Sequence, residues 1–172
     1  MKIENADTHG TFCYEIKNRF RCIVEVNGSE RLCYVASSSK LSNFIELEGV
    51  DVWLLPKGKN ASSTEYTLFS AEVADGRVLL ELSLANTAIE EQLHRRYFNF
   101  LGKRKNIHRE KTVDGYKADL YIEDTDTLVE IKTVISTERT AIFPSVYSER
   151  SIIQLKKVLE LLERNHKVCY LF

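Results

Sequence analysis

The sequence lacks the features that mark disulfide-rich, zinc-binding, secreted or membrane-spanning proteins. Its cysteines, Cys13, Cys22, Cys33 and Cys169, include no Cys-x-x-Cys pair and have no histidine beside them at zinc spacing. No apolar run approaches the length of a bilayer, and the polar start MKIENADTHG lacks the apolar stretch of a signal peptide. These absences indicate a cytoplasmic protein with reduced cysteines and no membrane partner.

Charge is nearly balanced, because the 172 residues carry a formal net charge of -1. This balance argues against indiscriminate binding of polyanions. The distribution is uneven: residues 95–117 hold eight Lys or Arg and two acids, whereas residues 119–130 hold five acids and no base. A basic segment beside an acidic one suits a nuclease, since cations hold phosphate and acids hold a metal ion. The alternative is a solvated helix end and loop.

Two short β-patterned runs within residues 115–134 carry the residues best suited to catalysis. Alternate side chains of a strand share a face, so Glu130 and Lys132 lie on one side of the second run. Pairing the runs as a hairpin brings Asp119 beside them. Two carboxylates and an amine suit a Mg²⁺-dependent hydrolase, with oxygen ligands for the ion and a cation for a phosphate. The alternative is the solvated face of an antiparallel strand.

Glu110 is a fourth candidate, in the run KNIHREKT that the Asp114-Gly115 turn connects to the Asp119 strand. Strand pairing could place it beside Asp119, although the register cannot be read from sequence. Adjacent carboxylates repel unless a cation or proton lies between them, which favours a metal ion there. A Glu110 that points to solvent would instead pair with a lysine across the strands.

The N-terminal half contains short β-patterned runs. The Asn27-Gly28 pair between alternating apolar residues predicts a tight hairpin, and residues 39–47 predict a short helix. About five strands with one helix predict an OB-like β-barrel over residues 11–84. OB barrels bind nucleic acid strands through a basic, aromatic-bearing face, and the alternative for such residues is a core or solvated role. The candidates are Lys17, Arg19, Phe20, Arg21 and Lys40.

A helix, three strands, a helix and a strand are predicted for residues 85–172. Thr87 with Glu90 forms a capping-box signature at the start of the first helix, and Gly102 ends it. Glu90 and Glu91 suit the positive end of the helix dipole, so capping explains them without a metal. The predicted buried stripe comprises Ile89, Leu93, Tyr97, Phe100 and Leu101.

The second helix is predicted in the segment ERSIIQLKKVLELLERN, capped by Ser148 or Ser151. Gln154 falls off its densest apolar line and is expected on the surface. The final run KVCYLF is typical of a buried central strand. The predicted apolar stripe of the helix comprises Ile152, Leu155, Val158, Leu159 and Leu162.

The ordered set Asp119, Glu130, Ile131 and Lys132, in a strand-turn-strand setting, resembles the PD-(D/E)xK nuclease superfamily. More narrowly, the segments YKADLYI, VEIKTV and FPSVYSER resemble the sugar fermentation stimulation protein A family. This resemblance implies an α+β protein, in which the OB-like barrel precedes a compact α-β-β-β-α-β restriction-endonuclease-like domain over residues 85–172. The positions that match the family pattern are Asp119, Glu130, Lys132, Phe143, Pro144, Glu149 and Arg150.

The resemblance implies a nuclease in which Asp119, Glu130 and the carbonyl of Ile131 bind Mg²⁺ or Mn²⁺. Lys132 would orient the attacking water, and Glu110 matches a glutamate at the same place in the family. Relatives in the superfamily also use a first-helix carboxylate, for which Glu90 and Glu91 are candidates, or a glutamine like Gln154. The candidate nucleic-acid contacts are Arg19, Arg21, Arg95, Arg96, Lys103, Arg104, Arg139 and Arg150.

The expected partner is nucleic acid, with DNA ahead of RNA. A second interpretation is a regulatory protein of sugar metabolism that binds nucleic acid through a nuclease fold without cleaving it. A third is a structural module whose carboxylates form an ion-pair network.

Overall fold

The computed structural model describes residues 7–37, 39–58, 63–74, 76–138, 140, 142–144 and 147–172. The chain divides into two compact units. The first comprises Met1–Leu84 with Val134–Ser145, and the second comprises Ala85–Thr133 with Val146–Phe172. Within the described ranges, no helix is long and apolar enough to cross a membrane.

The first unit is built on a closed five-stranded barrel. Its antiparallel order is β3-β2-β1-β4-β5, and a parallel pairing of β3 with β5 closes the ring. A sixth strand, β6, pairs antiparallel with β5. The predicted OB-like barrel is therefore confirmed. The strands are β1 (Thr8–Glu15), β2 (Arg21–Val26), β3 (Ser29–Tyr34), β4 (Asp51–Pro56), β5 (Tyr66–Val73) and β6 (Gly76–Leu79).

Local sequence explains the tight parts of the barrel. Asn27 and Gly28 both have positive φ, 53° and 72°, as the predicted two-residue hairpin between β2 and β3 requires. Gly10 lies where β1 approaches β2 so closely that a Cβ would meet the carbonyl oxygen of Glu25. Alternating apolar side chains fill the interior, among them Val24, Val52, Leu54, Leu68 and Ile135 from the returning segment.

The helix predicted over residues 39–47 is wrong. Only Leu41–Asn43 form a short 3₁₀ helix, whose preceding residue Lys40 supplies no side-chain cap. The carboxylate of Glu15 in β1 instead accepts from the amides of Leu41 at 2.6 Å and Ser42 at 3.1 Å. A contact distant in sequence thus fixes this turn, and the local apolar spacing does not decide it.

The second unit has a four-stranded sheet in the order β12-β11-β10-β7, with β8 and β9 as a separate small hairpin. One helix precedes the strands, and a second connects β11 to its parallel neighbour β12. The predicted α-β-β-β-α-β order is therefore confirmed for the two helices and the four-stranded sheet, and the β8–β9 hairpin is an addition to it. The elements are α1 (Ser83–Gln92), β7 (Ile107–Arg109), β8 (Thr112–Val113), β9 (Tyr116–Lys117), β10 (Leu120–Ile122), β11 (Thr127–Ile131), α2 (Glu149–Glu163) and β12 (Lys167–Leu171).

Two apolar clusters hold the second unit together. One contains Leu93 and Leu101 from the segment around the end of α1, packed with Leu120 and Val129 of the sheet. The other contains Val158 and Leu161 of α2, packed with Tyr116, Ala118 and Leu128. Successive side chains of β11, Leu128 and Val129, belong to different clusters, as strand alternation requires.

The predicted boundaries of the first helix are wrong, and its predicted stripe is wrong at Tyr97 and Phe100. The burial predicted for Leu93 and Leu101 is confirmed, and Ile89 packs against the same cluster. The carboxylate of buried Glu81 accepts from the amide of Ser83 at 3.2 Å, so α1 begins four residues before Thr87. The helix ends at Gln92, and a 3₁₀ helix follows over Arg96–Leu101. Because this tighter helix turns differently, Tyr97 and Phe100 face solvent and are not buried.

The predicted cap of α2 is confirmed, because the Ser148 hydroxyl accepts from the amide of Ser151 at 3.3 Å. The predicted stripe is wrong except at Val158. The helix is rotated by one residue position, so that Gln154, Val158 and Leu161 face the sheet. The remaining members of the predicted stripe are exposed, namely Ile152, Leu155, Leu159 and Leu162.

Candidate active site

Glu130 is a buried carboxylate near the end of β11, with 2% of its surface exposed. Its Oε2 accepts from Gln154 Nε2 at 2.6 Å and from Lys132 Nζ at 3.2 Å. Its Oε1 is also buried and has no hydrogen-bond partner in the described part of the chain. Leaving a buried carboxylate oxygen unpaired costs free energy, so this atom is directed at a missing partner. The solvated-strand alternative is wrong for Glu130.

Gln154 connects three groups of the site. Its Nε2 donates to Glu130 Oε2 and, at 2.7 Å, to the hydroxyl of Tyr116. Its Oε1 accepts from Lys132 Nζ at 2.9 Å. Gln154 can reach Glu130 because it lies one helical turn before buried Val158, on the side of α2 that faces the sheet. The expectation of a surface glutamine is therefore wrong.

Two tyrosines form the apolar wall of the site. Burial raises the pKa of Tyr116, and the neighbouring Glu130 raises it further. Burial also raises the pKa of Tyr170, with the Glu130 charge as the second cause. Lys132 Nζ lies 5.9 Å from the centroid of the Tyr170 ring, within the range of a cation-π contact. Both phenols therefore stay protonated.

Asp119 lies just before β10, and extending the β10–β11 register by one pair places it opposite Glu130. Its Oδ2 accepts from the amide of Ile131 at 2.8 Å, and its Oδ1 accepts from Asn86 Nδ2 at 3.3 Å. The carboxylate is thus held by β11 on one side and by α1 on the other. Each oxygen still has acceptor capacity, because a carboxylate offers about four lone-pair positions.

Asp119, Glu130 and the Ile131 carbonyl would provide an all-oxygen donor set, which suits a hard cation such as Mg²⁺ or Mn²⁺. The described residues contain no group of three His, Cys, Asp or Glu side chains placed to hold a metal. A cage made entirely of side chains is therefore absent from this part of the chain. Mg²⁺ commonly binds through one or two carboxylates and takes its other ligands from water and substrate, so the residues present fit it.

Glu110 is not part of this cluster. It follows β7 with a φ of 49°, and its carboxylate bonds to Lys117 Nζ at 2.6 Å. Its side chain is 69% exposed, and the contact with Lys117 lowers the pKa of the carboxyl. Glu90 in α1 pairs with Arg109 at 3.2 Å. The structure thus gives both acids a cationic partner outside the Glu130 cluster.

The predicted nucleic-acid contacts differ in their availability. Arg104 donates to the carbonyl oxygens of Leu93 and Gly102 and to the side chain of Asn99, so its guanidinium holds the chain itself. Lys103 pairs with Asp124 at 2.7 Å, Arg21 is half-buried in β2, and Arg139 lies outside the described residues. Lys103 is nevertheless exposed, as are Arg19, Arg95, Arg96 and Arg150.

The residue patterns did not predict three residues of the site, and only the family resemblance made one of them, Gln154, a candidate. Tyr116 is typical of any β-patterned run, and Gln154 is a single polar residue in an amphipathic helix. Asn86 reaches Asp119 across 33 positions of sequence, and no local pattern signals such a contact. A polar residue on the side of a helix that faces the sheet would indicate such a site residue. Recognising it requires knowledge of how the helix is rotated about its axis.

Comparison with known proteins places this geometry in a family. Residues 83–172 match the family model described as the sugar fermentation stimulation protein RE domain. A sugar fermentation stimulation protein homolog of Desulfitobacterium hafniense is 25% identical over 158 residues, which are 90% of this chain and 68% of the relative. A homolog of Clostridium kluyveri is 29% identical over 150 residues, which are 85% of this chain and 64% of the relative.

The fold has a solved counterpart. The structure of Pyrococcus furiosus SfsA in complex with Ca²⁺ superposes with a TM-score of 0.83 at 20% sequence identity. The match covers 99% of this chain and 73% of that one, so the shared fold includes both units. The chain spans about two thirds of the length of the curated relatives named above.

Proposed function

This chain belongs to the sugar fermentation stimulation protein family, and we propose that it is a metal-dependent nuclease that hydrolyses phosphodiester bonds in nucleic acid. The observation that carries the proposal is the buried Oε1 of Glu130, which has no hydrogen-bond partner among the described residues. Lys132 and Gln154 hold the other oxygen of the same carboxylate, so Oε1 is the atom left for an added cation.

Asp119, Glu130 and the carbonyl oxygen of Ile131 would hold Mg²⁺ or Mn²⁺. Such a cation, when bound, supplies positive charge for a phosphate oxygen and lowers the pKa of a water molecule. The Ca²⁺ in the related Pyrococcus furiosus structure supports this proposal, because Ca²⁺ also takes oxygen ligands.

Lys132 is suited to contact the phosphate. An ammonium group has three N–H donors, and two of them are directed at Glu130 and Gln154. The side chain is 22% exposed, so the third donor can reach a substrate oxygen. There it would stabilise the negative charge that develops when water attacks phosphorus and the ester oxygen leaves.

Gln154 and Tyr116 are positioning residues in this proposal. Gln154 orients Lys132 through one end of its amide and Glu130 through the other. Tyr116 accepts from the same amide nitrogen. The carboxylate can only accept and the ammonium can only donate, so these two groups fix which end of the amide faces which partner. Exposed Arg95, Arg96 and Arg150 would contact the phosphate backbone on either side of the reacting bond.

The test is cleavage of end-labelled single- and double-stranded DNA and RNA with Mg²⁺, with Mn²⁺ and with EDTA. We expect metal-dependent cleavage that is lost in Asp119→Ala and in Lys132→Ala. Glu160→Gln is the matched control, because it removes an exposed carboxylate on α2 whose ion pair, among the described residues, is with Lys157. Cleavage that persists in both active-site variants would come from a contaminant and would reject the mechanism.

A second candidate is a regulatory protein that binds nucleic acid without cleaving it. It is favoured by the absence of a third metal-ligating side chain within the described ranges. In the same assay it would give salt-sensitive binding, whose affinity falls steeply with ionic strength, and no product with either metal.

A further inference from the structure

Tyr97 and Phe100, which helical spacing predicts to be buried, are 72% and 67% exposed. Both lie in the 3₁₀ helix Arg96–Leu101. This kind of helix has three residues per turn, so side chains three positions apart stand one above the other. The two rings therefore share one side of the helix, separated by about 6 Å along its axis.

Neighbouring groups hold these rings in place. The ring of half-buried Phe98 lies 6.1 Å from Tyr97 in an edge-to-face arrangement and 6.2 Å from Phe100. Phe98 itself packs on the cluster that contains Leu93 and Leu101. We call Tyr97, Phe98 and Phe100 the aromatic surface. It is built on the core of the second unit and is not a loose loop tip.

Arg104 adds rigidity at the base of the aromatic surface. Its Nε donates to the carbonyl of Leu93 at 2.8 Å, and its Nη2 donates to Asn99 Oδ1 at 3.1 Å. These bonds tie the end of the α1 segment to the 3₁₀ helix. Fixed rings lose little entropy when a ligand stacks on them, which favours binding.

The surroundings of the aromatic surface are basic and open. Arg95 and Arg96 are exposed and make no ion pair within the described ranges. Phe100 also lines a cavity of about 360 Å³ together with Lys167, Thr125 and Thr127. Residues 95–100 therefore combine exposed rings with two exposed guanidinium groups, beside a cavity that Lys167 helps to line.

Chemistry distinguishes this surface from the other exposed apolar one in the second unit. The exposed side chains of α2 are aliphatic, such as Ile153 at 63% and Leu159 at 60%. Aliphatic groups offer no flat π-face, whereas aromatic rings and guanidinium groups stack on nucleobases. The residues around Tyr97 thus match a nucleic acid strand better than they match an apolar protein surface.

We infer that the aromatic surface binds unpaired bases of single-stranded nucleic acid, with Arg95 and Arg96 on the adjoining phosphates. In a duplex the base faces are covered by their neighbours, so rings of this kind favour a single strand. The inference rests on the proposed function, because it names the strandedness of the polymer that the same unit would cleave.

The aromatic surface is separate from the candidate active site. Its cavity is at Thr127, where β11 begins, and Glu130 lies three residues further along the strand. Three residues of strand cover about 10 Å. Bases on the aromatic surface are therefore not those at the reacting phosphate. The surface would increase the affinity for the strand and would not contact the reacting atoms.

The test measures fluorescence anisotropy of a labelled single strand and of the same sequence as a duplex, both in EDTA to prevent cleavage. In the double variant Tyr97→Ala/Phe100→Ala, affinity for the single strand should fall roughly five- to 150-fold for each ring lost. Affinity for the duplex should be unchanged. Substitution by other aromatics, Tyr97→Phe/Phe100→Tyr, should restore single-strand binding.

Ile153→Ala is the matched control, because it removes an equally exposed apolar side chain from the same unit. It should bind the single strand like the parent. Unchanged affinity in the alanine double variant, equal losses for both polymers, or a parent that binds no single strand would overturn the inference. A change in oligomeric state on size-exclusion chromatography, with nucleic-acid binding intact, would assign the rings to a protein interface instead.

The outcome is independent of the nuclease assay. Ring-dependent binding without metal-dependent cleavage would support this inference and reject the nuclease. Cleavage by a protein whose single-strand affinity does not depend on the rings would support the nuclease and reject this inference.

Discussion

Gln154 and Glu130 are joined by a hydrogen bond of 2.6 Å from Nε2 to Oε2. Lys132 donates to the same oxygen at 3.2 Å, so both partners of the carboxylate lie on one of its two atoms. The other atom, Oε1, is buried without a partner in the described part of the chain. This asymmetry leaves Oε1 as the position of the carboxylate at which a cation would bind.

Divalent cations should stabilise the folded protein, because the proposed donor set exists only in the native state. At a cation concentration of 100 times Kd, the expected stabilisation is about 2.7 kcal/mol. The thermal midpoint of the parent should rise with Mg²⁺ or Mn²⁺ and return with EDTA. Glu130→Gln should show no rise, and an equal rise in that variant would locate the cation elsewhere.

Gln154→Ala should destabilise the protein by about 1–3 kcal/mol, because it leaves buried donors and acceptors unpaired. The affected groups are Lys132, Glu130 and Tyr116. Urea denaturation measures the change. Lys157→Ala on the exposed side of the same helix is the control and should stay within about 0.5 kcal/mol of the parent. Similar stabilities for the two variants would contradict the bonding described for Gln154.

His166 should make stability depend on pH. Its Nδ1 lies 2.9 Å from Asp126 Oδ2, and its Nε2 lies 3.4 Å from Asp114 Oδ2, which also pairs with Arg164. The contact with Asp126 raises the pKa of His166 above its ordinary 6.5, Asp114 adds to this, and burial opposes it. Tyr121, whose hydroxyl donates to Asp126, completes the surroundings.

A raised pKa in the folded state means that folding binds the proton more tightly. The contribution of His166 is therefore complete below pH 6.5 and is lost as pH rises through the folded-state pKa. The free energy of unfolding should decrease over that interval in the parent. In His166→Gln this decrease in the free energy of unfolding should be absent. An unchanged pH profile of stability in the variant would contradict the role given to His166.

Gly10→Ala should destabilise the barrel by about 1–3 kcal/mol, because overpacking forces strands apart. The added methyl would meet the Glu25 carbonyl oxygen and the side chains of Val24 and Val26. Gly58→Ala is the control, since no atom of the described residues lies within 4 Å of a Cβ there. Equal thermal midpoints for the two variants would show that β1 and β2 are not as close as described.

Patterns that depend on neighbours in sequence predicted much of the fold. Asn27 and Gly28 signal their turn because few residues adopt positive φ, and strand alternation in residues 11–84 indicates a barrel. The order of helices and strands in the second unit could be read in the same way. The sequence also indicates that Glu130 and Lys132 share a face, because they are two positions apart in one strand.

Features that depend on how elements are placed could not be predicted. The spacing of Tyr97 and Phe100 suits an α-helix, but Glu81 starts that helix earlier and it ends at Gln92. α2 has two adjacent apolar lines about 100° apart, and sequence does not reveal which one faces the sheet. The side of α2 that contains Gln154 faces the sheet because of contacts with residues distant in sequence, such as the bond from Gln154 to Glu130.

The Asp119 carboxylate accepts a hydrogen bond from the amide of Ile131, so it holds the backbone in addition to being a proposed metal ligand. Asparagine keeps an oxygen that can accept the same bond while losing the negative charge. Under the proposed function, Asp119→Asn would therefore end hydrolysis and leave the strands where they are. A cleaving protein and a binding protein built on this fold would then differ by a single codon.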